Sequence, residues 1–316
     1  MRVLVTGGAG FLGRHFVQAH LADHDQVVSI DDFSGTDIAT VPQDVLDVTE
    51  RWDVIEWFRD AGDGYDLAYH FAAPVGGRMK IEGDPMFNAH SLGIDEAFFR
   101  YAIDHVDRAV FPSSSAVYGR ALQADTDAGA LQEWLFNPQN PNWFAPDEMY
   151  GFTKLVGEML AWKAAAYGLN TLCIRPFSGY GEGQSFDYPV PSIARRALLR
   201  EDPLTIWGSG TQSRDFIHVS DIVEGTRRRL EYPLKGYDTL NLGAGKAVTF
   251  KIIAEMCAEL VGYAPKIVTD ESKPEGVKKR WADVGRMSYY HQSRVGLREG
   301  MKRVLADIES RLEVTV

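Results

Sequence analysis

The chain opens with a short β-branched run that leads directly into a glycine-rich turn. Residues 2–5 are Arg-Val-Leu-Val, and residues 6–13 are Thr-Gly-Gly-Ala-Gly-Phe-Leu-Gly. Gly7 permits a tight turn, Gly10 lets the backbone approach an anionic group, and Gly13 lets a helix pack on the strand. A strand, a glycine loop and a helix in this order predict a βαβ unit that holds the pyrophosphate of a dinucleotide.

The helix after this turn and the end of the next strand give the second part of the same pattern. A helix that begins at Phe11 points its first amides, including that of Leu12, toward the anion. Residues 27–31 form a second β-branched run, which ends in a carboxylate about twenty residues after the loop. Asp31 would accept hydrogen bonds from an adenosine ribose and repel a 2′-phosphate, with Asp32 as the neighbouring alternative. The pattern therefore favours NAD over NADP.

Three further features bear on the cofactor. Arg14, just after the last loop glycine, could argue for NADP, although such an arginine is more often a solvated helix residue. Asp44, beside Val45, offers an acceptor where an adenine amino group could lie, and a plain surface turn is the alternative. A buried strand also ends in a stretch that leaves room for a cofactor, namely Phe71, Ala72 and Ala73.

Tyr150 and Lys154 are predicted to lie at the start of a helix whose apolar stripe continues to Ala166. Residues four apart share one face of a helix. A cation fixed beside a phenol favours the phenolate, so the pair is a candidate acid/base device. Taken alone, such a pair is more often only part of a helix surface.

A serine cluster follows another strand, at residues 113–115. Such a cluster is often a hydroxyl-rich turn. Because it lies between the dinucleotide loop and the Tyr/Lys helix, Ser114 is a candidate to hydrogen-bond the substrate oxygen that Tyr150 deprotonates. Ser115 is a candidate substrate contact beside it.

Composition excludes several classes of function. The 316 residues carry a formal net charge of -11, and no basic patch dominates, so we expect no nucleic-acid partner. No apolar run reaches membrane-spanning length, and the first strand starts too early for a signal peptide. Cys173 and Cys257 have no metal-binding spacing and read as buried thiols, so we expect no metal site and a cytoplasmic location.

Five motifs in order resemble the extended short-chain dehydrogenase/reductase family, in particular its nucleotide-sugar epimerases and dehydratases. They are TGGAGFLG, Asp31, HFAA, SSSAVYG and YGFTK. The resemblance covers nearly the whole chain. It implies an α/β protein with a Rossmann-type, doubly wound parallel sheet, NAD as cofactor, and a smaller C-terminal lobe that binds a nucleotide-diphosphate sugar.

The C-terminal half carries further resemblances. Residues 175–181 resemble the family's RPxNxYG segment, in which Pro176 would contact the cofactor and Ser178 replaces the substrate-binding Asn. Residues 206–221 resemble its GDGxQxRDFxxVxD signature. There Arg214 is the expected diphosphate ligand, a surface ion pair with Asp215 is the alternative, and Asp221 is expected to cap a helix. Arg280 is expected to supply a second phosphate contact.

The serine motif also limits the reaction that the resemblance implies. The family's 4,6-dehydratases carry an Asp-Glu pair where this chain has Ser115 and Ala116, and its sugar-acid decarboxylases carry Glu in place of Ala116. What remains is hydride transfer with one acid/base residue, as in a 4-epimerase that uses Ser114, Tyr150 and Lys154. The alternatives are a reductase of a nucleotide-linked keto sugar, an enzyme similar to GDP-mannose 3,5-epimerase but without its cysteine, and an NAD-sensing scaffold.

Organisation along the chain is predicted as follows. Residues 1–177 form the dinucleotide-binding domain, and residues 237–260 return to it. Residues 178–236 and 261–316 form the substrate lobe. The aromatic loop from Ala121 to Glu148 is either a lid or a surface loop with a small core of its own. The resemblance implies a homodimer built on helices near residues 86–105 and 149–167.

Overall fold

The computed structural model describes residues 1–62, 64–74, 76–136 and 145–313. Its strands are β1 (Arg2–Thr6), β2 (Gln26–Asp31), β3 (Thr49–Arg51), β4 (Leu67–His70), β5 (Arg108–Pro112), β6 (Asn170–Pro176), β7 (Ser178–Tyr180), β8 (Leu204–Trp207), β9 (Ser213–His218), β10 (Tyr237–Leu242), β11 (Ala247–Thr249), β12 (Ile267–Asp270) and β13 (Lys279–Arg280). Its α-helices are α1 (Phe11–Ala22), α2 (Gln43–Leu46), α3 (Val54–Asp60), α4 (Arg78–Gly83), α5 (Pro85–Ala89), α6 (Ser91–His105), α7 (Glu148–Ala164), α8 (Pro189–Leu198), α9 (Val219–Leu230), α10 (Phe250–Val261), α11 (Gly285–Tyr290) and α12 (Leu297–Glu313).

Seven of these strands form one parallel sheet in the order β10-β6-β5-β4-β1-β2-β3. Thr6 at the end of β1 lies level with Ile30 on β2 and with His70 on β4. The strand order reverses between β1 and β4, so a crevice opens at their carboxyl ends, where ligands bind in open sheets of this kind. The predicted Rossmann-type, doubly wound sheet is confirmed.

Helices cover both faces of this sheet because its strands are apolar on both sides. Within β1, Val3 and Val5 pack into a cluster with Phe16 of α1, whereas Leu4 packs into a second cluster with Phe98 of α6. This alternation is the period of two that a strand imposes. The first cluster is completed by α9 and α11, and the second by α3 and α7.

A smaller lobe has its own core. Strand β9 pairs with β7, β11 and β13, and β8 pairs with β12. Helices α8, α10 and α12 pack together beside these strands around a third apolar cluster, which includes Ile193, Ile253 and Val304.

Two helices lie on the other side of the predicted domain boundary. Strand β10 joins the large sheet as expected, but α10, predicted to return with it, packs in the core of the lobe. Conversely α9, predicted to belong to the lobe, packs Ile222 and Val223 against the large sheet. Both helices are amphipathic. Each follows its preceding strand after a short link, so the sequence alone does not determine which sheet the apolar face of the helix covers. The division into two domains otherwise stays a prediction.

The predicted lid lies partly outside the described residues, which do not include its Pro138, Pro141, Trp143 and Phe144. Its described part up to Phe136 packs into a small cluster of its own with Leu131 and Val117. The amide of Leu131 also donates to the carbonyl of Trp281 at 2.9 Å. This part of the loop therefore resembles the alternative interpretation, a surface loop with a satellite core.

Along the described ranges, no helix is both long enough and apolar enough to cross a lipid bilayer.

Candidate active site

The glycine turn between β1 and α1 lies against the end of β4. Gly7 has a φ of +69°, and a Cβ atom there would lie 2.5 Å from the backbone of Phe71 and Ala72. A Cβ on Gly13 would lie 2.1 Å from the carbonyl oxygen of Gly7. A Cβ on Gly10 would lie 3.1 Å from that same oxygen and near no other neighbour among the described residues. The turn is thus packed tightly on its protein side and presents bare backbone on the other, as a pyrophosphate requires.

Asp31 is fixed against this turn although 22 residues separate it from Ala9. One carboxylate oxygen accepts a hydrogen bond from the Ala9 amide at 3.0 Å, and the other accepts from the Phe33 amide at 2.7 Å. Burial raises the pKa of Asp31, and these two amide contacts oppose the shift. Asp32, the alternative, is exposed and accepts hydrogen bonds from Ser34, so Asp31 is the carboxylate that faces the turn.

Arg14 matches neither of its two predicted interpretations. It is only 4% exposed, and its guanidinium donates to the carbonyl oxygens of Ala9, Gly10 and Thr40 at 2.7–3.2 Å. It is therefore not solvated, and its donors are already used by the backbone. Arg14 stabilises the glycine turn from behind, a role that the sequence motif did not indicate.

Two predicted cofactor residues turn their side chains into the core. Val45 is fully buried in the apolar cluster above β1, and the ring of Phe71 packs on Phe16 at 4.9 Å. The side chain of Val45 is therefore closed to a cofactor, whereas that of Phe71 is still partly exposed. Asp44 is exposed and accepts a hydrogen bond from Gln18 at 3.3 Å, so its adenine contact stays a prediction.

The serine turn and the start of α7 lie in backbone contact. A Cβ on Gly151 would lie 2.4 Å from the carbonyl oxygen of Ala116, and that oxygen accepts a hydrogen bond from the Asp147 amide at 2.9 Å. Ser114 accepts a hydrogen bond from the Ala116 amide at 3.1 Å, and Ser115 is buried. The fold therefore brings Ser114 to the carboxyl end of β5, beside the first turn of α7.

Tyr150 and Lys154 lie on the first two turns of α7. Tyr150 is partly exposed, whereas Lys154 is 3% exposed, with its ammonium 5.2 Å from the ring centre of Phe111 on β5. Among the described residues, no carboxylate lies within ion-pair distance of this ammonium. A buried cation without a counter-charge is costly, so Lys154 is suited to donate to a polar ligand in the crevice.

These features fit NAD. Bare backbone at Gly10 suits the pyrophosphate, the fixed carboxylate of Asp31 suits a ribose diol, and the buried ammonium of Lys154 suits a second ribose. No group of three or more side chains that could hold a metal ion occurs in the part of the chain that the structure describes.

A fully buried ion pair beneath α7 was missed by sequence reasoning. Glu158 on α7 and Arg175 on β6 are both 0% exposed and meet through two hydrogen bonds of 2.8 and 2.6 Å. Ser113, which precedes Ser114 in the serine turn, and Tyr237 also donate to Glu158. Burial alone would lower the pKa of Arg175, but the adjacent Glu158 raises it well above its ordinary value. The pair ties the serine turn to α7 and to the two strands at the sheet edge.

The same arginine also holds the described part of the loop. Arg175 donates to the carbonyl oxygens of Glu133 and Phe136 at 3.0 and 3.1 Å and to the Tyr118 hydroxyl at 3.0 Å. Tyr118 in turn donates to Asn241 at 2.7 Å. Each member is unremarkable in sequence, because its partners lie between 17 and 123 residues away.

The two predicted diphosphate ligands are register partners on neighbouring parallel strands, Arg214 on β9 and Arg280 on β13. Arg214 already donates to the carbonyl oxygens of Val277 at 2.8 Å and of Glu275 at 3.3 Å. Arg280 forms an ion pair of 2.6 Å with Asp147, immediately before α7. Both guanidinium groups therefore already have protein partners, and a bound diphosphate would be an additional or replacement partner. The ion pair of Arg280 with Asp147 also joins the lobe to the start of α7.

Asp215 does not form the surface ion pair that was the alternative for Arg214. It is 0% exposed and accepts hydrogen bonds from the amides of Ala244, Gly245 and Ala282 at 2.7–3.1 Å. Burial raises its pKa, and these amides oppose the shift. Asp215 thus holds the turn after β10 against the segment that follows β13.

Asp221 was expected to cap α9, and the structure gives that role to His218, which accepts from the Ser220 amide at 3.3 Å. Asp221 instead accepts hydrogen bonds from His291 at 2.8 Å and from the amide of Arg294 at 2.9 Å. Asp221 lies in the first turn of α9, and the segment from His291 to Arg294 donates hydrogen bonds to its side chain.

Pro176 and Ser178 flank the exit from β6. Pro176 is level with Leu242 on β10, and Ser178 opens β7 opposite Phe216. Both are partly buried at the junction of the large sheet and the lobe. Their predicted contacts with cofactor and substrate stay predictions.

Tyr188 is a second phenol whose charge interacts with that of Tyr150, and the sequence motifs did not indicate it. It directly precedes α8, and the carbonyl of its neighbour Asp187 lies 2.0 Å from where a Cβ on Gly77 would be. Burial raises the pKa of Tyr188, and the charges of Tyr150 and Asp187 add to that rise. The segment that ends at Tyr188 is packed against Gly77 through Asp187.

Several known proteins are similar to this chain over nearly its whole length. The chain is 26% identical to an uncharacterized UDP-glucose epimerase, YtcB, of Bacillus subtilis, covering 98% of each protein. It is 29% identical to a dTDP-4-dehydro-6-deoxy-D-allose reductase of a Streptomyces species, covering 90% of this chain and 89% of that one. It also resembles the crystal structure of UDP-glucuronic acid 4-epimerase from Bacillus cereus in complex with UDP-glucuronic acid and NAD. That match has a TM-score of 0.84 and 27% identity over 98% of this chain and 100% of the other.

The model of the NAD-dependent epimerase/dehydratase family matches residues 3–243. This range includes the glycine turn, the serine turn and the helix of Tyr150 and Lys154. The predictions of the family and of NAD as cofactor are confirmed. The chain belongs to the NAD-dependent epimerase/dehydratase family.

Proposed function

We propose that this protein is a nucleotide-sugar 4-epimerase that acts through a transient 4-keto sugar. The observation that supports the proposal is the close approach of Gly151, the residue after Tyr150, to the carbonyl of Ala116, two residues after Ser114. One acid/base residue and a hydrogen-bonding hydroxyl are sufficient for reversible oxidation of a secondary alcohol. The acid and base pair that water elimination needs is absent from residues 115 and 116.

In this proposal Tyr150, as the phenolate, accepts the proton of the sugar 4-hydroxyl. Bound NAD+ supplies the hydride acceptor, and the same hydride later returns to carbon 4. Ser114 donates to the 4-oxygen and orients it. Lys154 holds the nicotinamide ribose and favours the ionised form of Tyr150. After the keto sugar turns in the site, Tyr150 returns the proton to the oxygen, so protons and electrons balance over the cycle.

The nucleotide end is assigned to the lobe. Arg214 and Arg280 face each other on β9 and β13, and each guanidinium suits bidentate contact with phosphate oxygens. Ser115 and Ser178 are proposed as sugar-side and lobe-side contacts. The UDP-sugars named for the B. subtilis and B. cereus relatives support a uridine diphosphate sugar as substrate.

The test begins with a thermal-shift screen with UDP, GDP, CDP and dTDP, followed by turnover of sugars that carry the winning base. We expect purified protein to interconvert 4-epimers without added cofactor. Tyr150→Phe should lower kcat by about 10²–10⁴-fold, the usual contribution of a general acid/base. The matched control is Tyr167→Phe, because Tyr167 is 74% exposed just beyond α7 and should keep full activity. Normal turnover by Tyr150→Phe would exclude the mechanism.

Reduction of a nucleotide-linked keto sugar is the second candidate, because a reductase is among the relatives at 29% identity. It would use the same residues. It differs in stoichiometry, since a reductase consumes one NAD(P)H per product and an epimerase consumes none. Measuring cofactor absorbance alongside product formation separates the two.

We also propose a homodimer through α6 and α7. The support is that α7 leaves Phe152 44% exposed on the side of α7 away from the sheet core, a large apolar side chain that a partner would cover. Sedimentation of the purified protein tests this proposal, and a monomer at micromolar concentration would contradict it.

A further inference from the structure

A buried histidine and a buried aspartate form a pair that the proposed reaction does not use. Asp95 on α6 and His70 at the end of β4 are each 1% exposed, and Asp95 Oδ1 lies 3.3 Å from His70 Nε2. Neither oxygen of Asp95 has a hydrogen bond of good geometry among the described residues. A buried carboxylate without hydrogen bonds lowers the stability of the fold, so we expect Asp95 to have a functional role.

The other nitrogen of His70 defines the tautomer. Nδ1 lies 2.8 Å from the hydroxyl oxygen of Thr6, and that oxygen accepts a weak hydrogen bond from the Ala72 amide at 3.4 Å. The Thr6 hydroxyl can donate to Nδ1, and because the carboxylate of Asp95 lies on the Nε2 side, a proton on Nε2 is the tautomer that serves both ring nitrogens. Burial lowers the pKa of His70, which favours the neutral ring. The ring is also held flat on Phe98, with centroids 4.1 Å apart and planes 6° apart.

The ring of Phe111 lies near both Lys154 and this histidine. The Lys154 ammonium is 5.2 Å from the ring of Phe111, and that ring is 6.4 Å from the ring of His70. The charges of Lys154 and Asp95 act on His70 in opposite directions, the first lowering its pKa and the second raising it. Glu158, the other acid on α7 here, is committed to Arg175. Asp95 is thus the buried carboxylate left to balance the lysine.

We propose that Asp95 is a positioning residue that acts through the neutral imidazole of His70. Its charge balances the buried ammonium of Lys154 and keeps that side chain in place beside Tyr150. Thr6 and His70 also join this unit to the glycine turn, because Thr6 directly precedes Gly7. The inference rests on the role proposed above for Lys154.

Asp95→Asn tests the charge while keeping the shape. We expect the alkaline limb of the kcat profile to move down by about 1 pH unit, the usual size of effect when an opposite charge is lost. At a pH above that limb, kcat should fall by about tenfold, with the KM for the nucleotide sugar unchanged within about twofold. The matched control is Asp104→Asn, the same change at an exposed position of the same helix. The proposal would be overturned if the alkaline limb of the kcat profile of Asp95→Asn fell at the same pH as that of the wild type, whatever the absolute value of kcat.

A measurement on the wild-type holoenzyme keeps the proposal testable if Asp95→Asn does not fold, or if no turnover is found. Nitrogen-15 NMR of labelled histidine should show His70 neutral, with its proton on Nε2, from about pH 7.5 to pH 9, because its pKa is lowered from the ordinary value of 6.5. A proton on Nδ1, or titration of His70 within that range, would overturn the proposal. Because this result does not depend on turnover, it separates a failure of this inference from a failure of the proposed epimerase activity.

Discussion

At the scale of single residues, two buried charges flank the glycine turn and have different tasks. Arg14 uses its guanidinium on the carbonyl oxygens of Ala9, Gly10 and Thr40, so it supports the turn and offers little to a 2′-phosphate. One carboxylate oxygen of Asp31 accepts a hydrogen bond from the Ala9 amide and the other accepts from the Phe33 amide, and a carboxylate oxygen can accept more than one hydrogen bond. The preference for NAD therefore rests on Asp31.

Asp31→Asn should weaken NAD binding by about 10–100-fold, since a hydrogen bond to a charged group contributes about 1.5–3 kcal/mol. NADP should lose less affinity, because the repulsion of its 2′-phosphate disappears together with the carboxylate. Titration calorimetry with both cofactors measures the ratio. The control is Asp32→Asn at the exposed neighbour, which should change either affinity by less than about twofold. Equal losses for the two cofactors would contradict the assignment.

At the scale of elements, the position of α7 depends on two glycines. A Cβ on Gly151 would lie 2.4 Å from the Ala116 carbonyl, and one on Gly157 would lie 2.1 Å from the Phe111 ring. Glycine in a helix is destabilising by about 0.5–1 kcal/mol relative to alanine. Here that cost permits the helix to approach both the serine turn and β5, and the ion pair of Glu158 with Arg175 holds it there.

Gly151→Ala should displace the start of α7, because the added carbon meets backbone and not a flexible side chain. We expect a loss of about 1–3 kcal/mol in the free energy of unfolding, as for other overpacked sites, and a larger proportional loss in kcat than in cofactor affinity. Urea denaturation and steady-state kinetics measure the two effects. Gly93→Ala on α6 is the control, since its nearest neighbour would be Ile55 at 4.0 Å. Equal effects at both positions would refute the close-packing argument.

At the scale of the whole molecule, a few buried carboxylates join the large sheet to the lobe. Asp221 on α9 accepts hydrogen bonds from His291, Ser293 and the amides of Arg294 and Val295, just before α12. Burial by itself would raise the pKa of Asp221, but these donors lower it from 3.8 to about 2. Since the pKa of the folded state lies below that of the unfolded chain, the contribution to stability is present above pH 3.8 and is lost as the pH falls toward 2.

Asp221→Asn should remove this pH-dependent contribution, which is about 2 kcal/mol for a shift of this size. The free energy of unfolding of the wild type, minus that of the variant, should therefore be largest at neutral pH and should shrink between pH 4 and pH 2. Urea denaturation at a series of pH values measures this difference. Asp60→Asn is a suitable control, because Asp60 is exposed at the end of α3, where it lacks the buried surroundings of Asp221. A difference that is independent of pH would show that Asp221 contributes packing and not charge.

The sequence by itself determined the features that depend on neighbours along the chain. The glycine turn, the carboxylate at the end of β2 and the spacing of Tyr150 and Lys154 are local patterns. Each carries its physical reason within about twenty residues, in turn geometry, strand length or helix period. These features were sufficient to predict the parallel sheet, the family and NAD.

Only the tertiary structure decided which distant groups meet. Arg175 and Glu158, His70 and Asp95, and the partners of Asp221 are brought together from 17 to 74 residues apart. It also decided that α9 covers the large sheet and α10 the lobe. A buried polar group is stable only when its partner is in place, and an amphipathic helix is stable against any apolar surface of suitable shape. Neither partner nor surface is specified by the residues adjacent in the chain, so both appear only once the chain has folded.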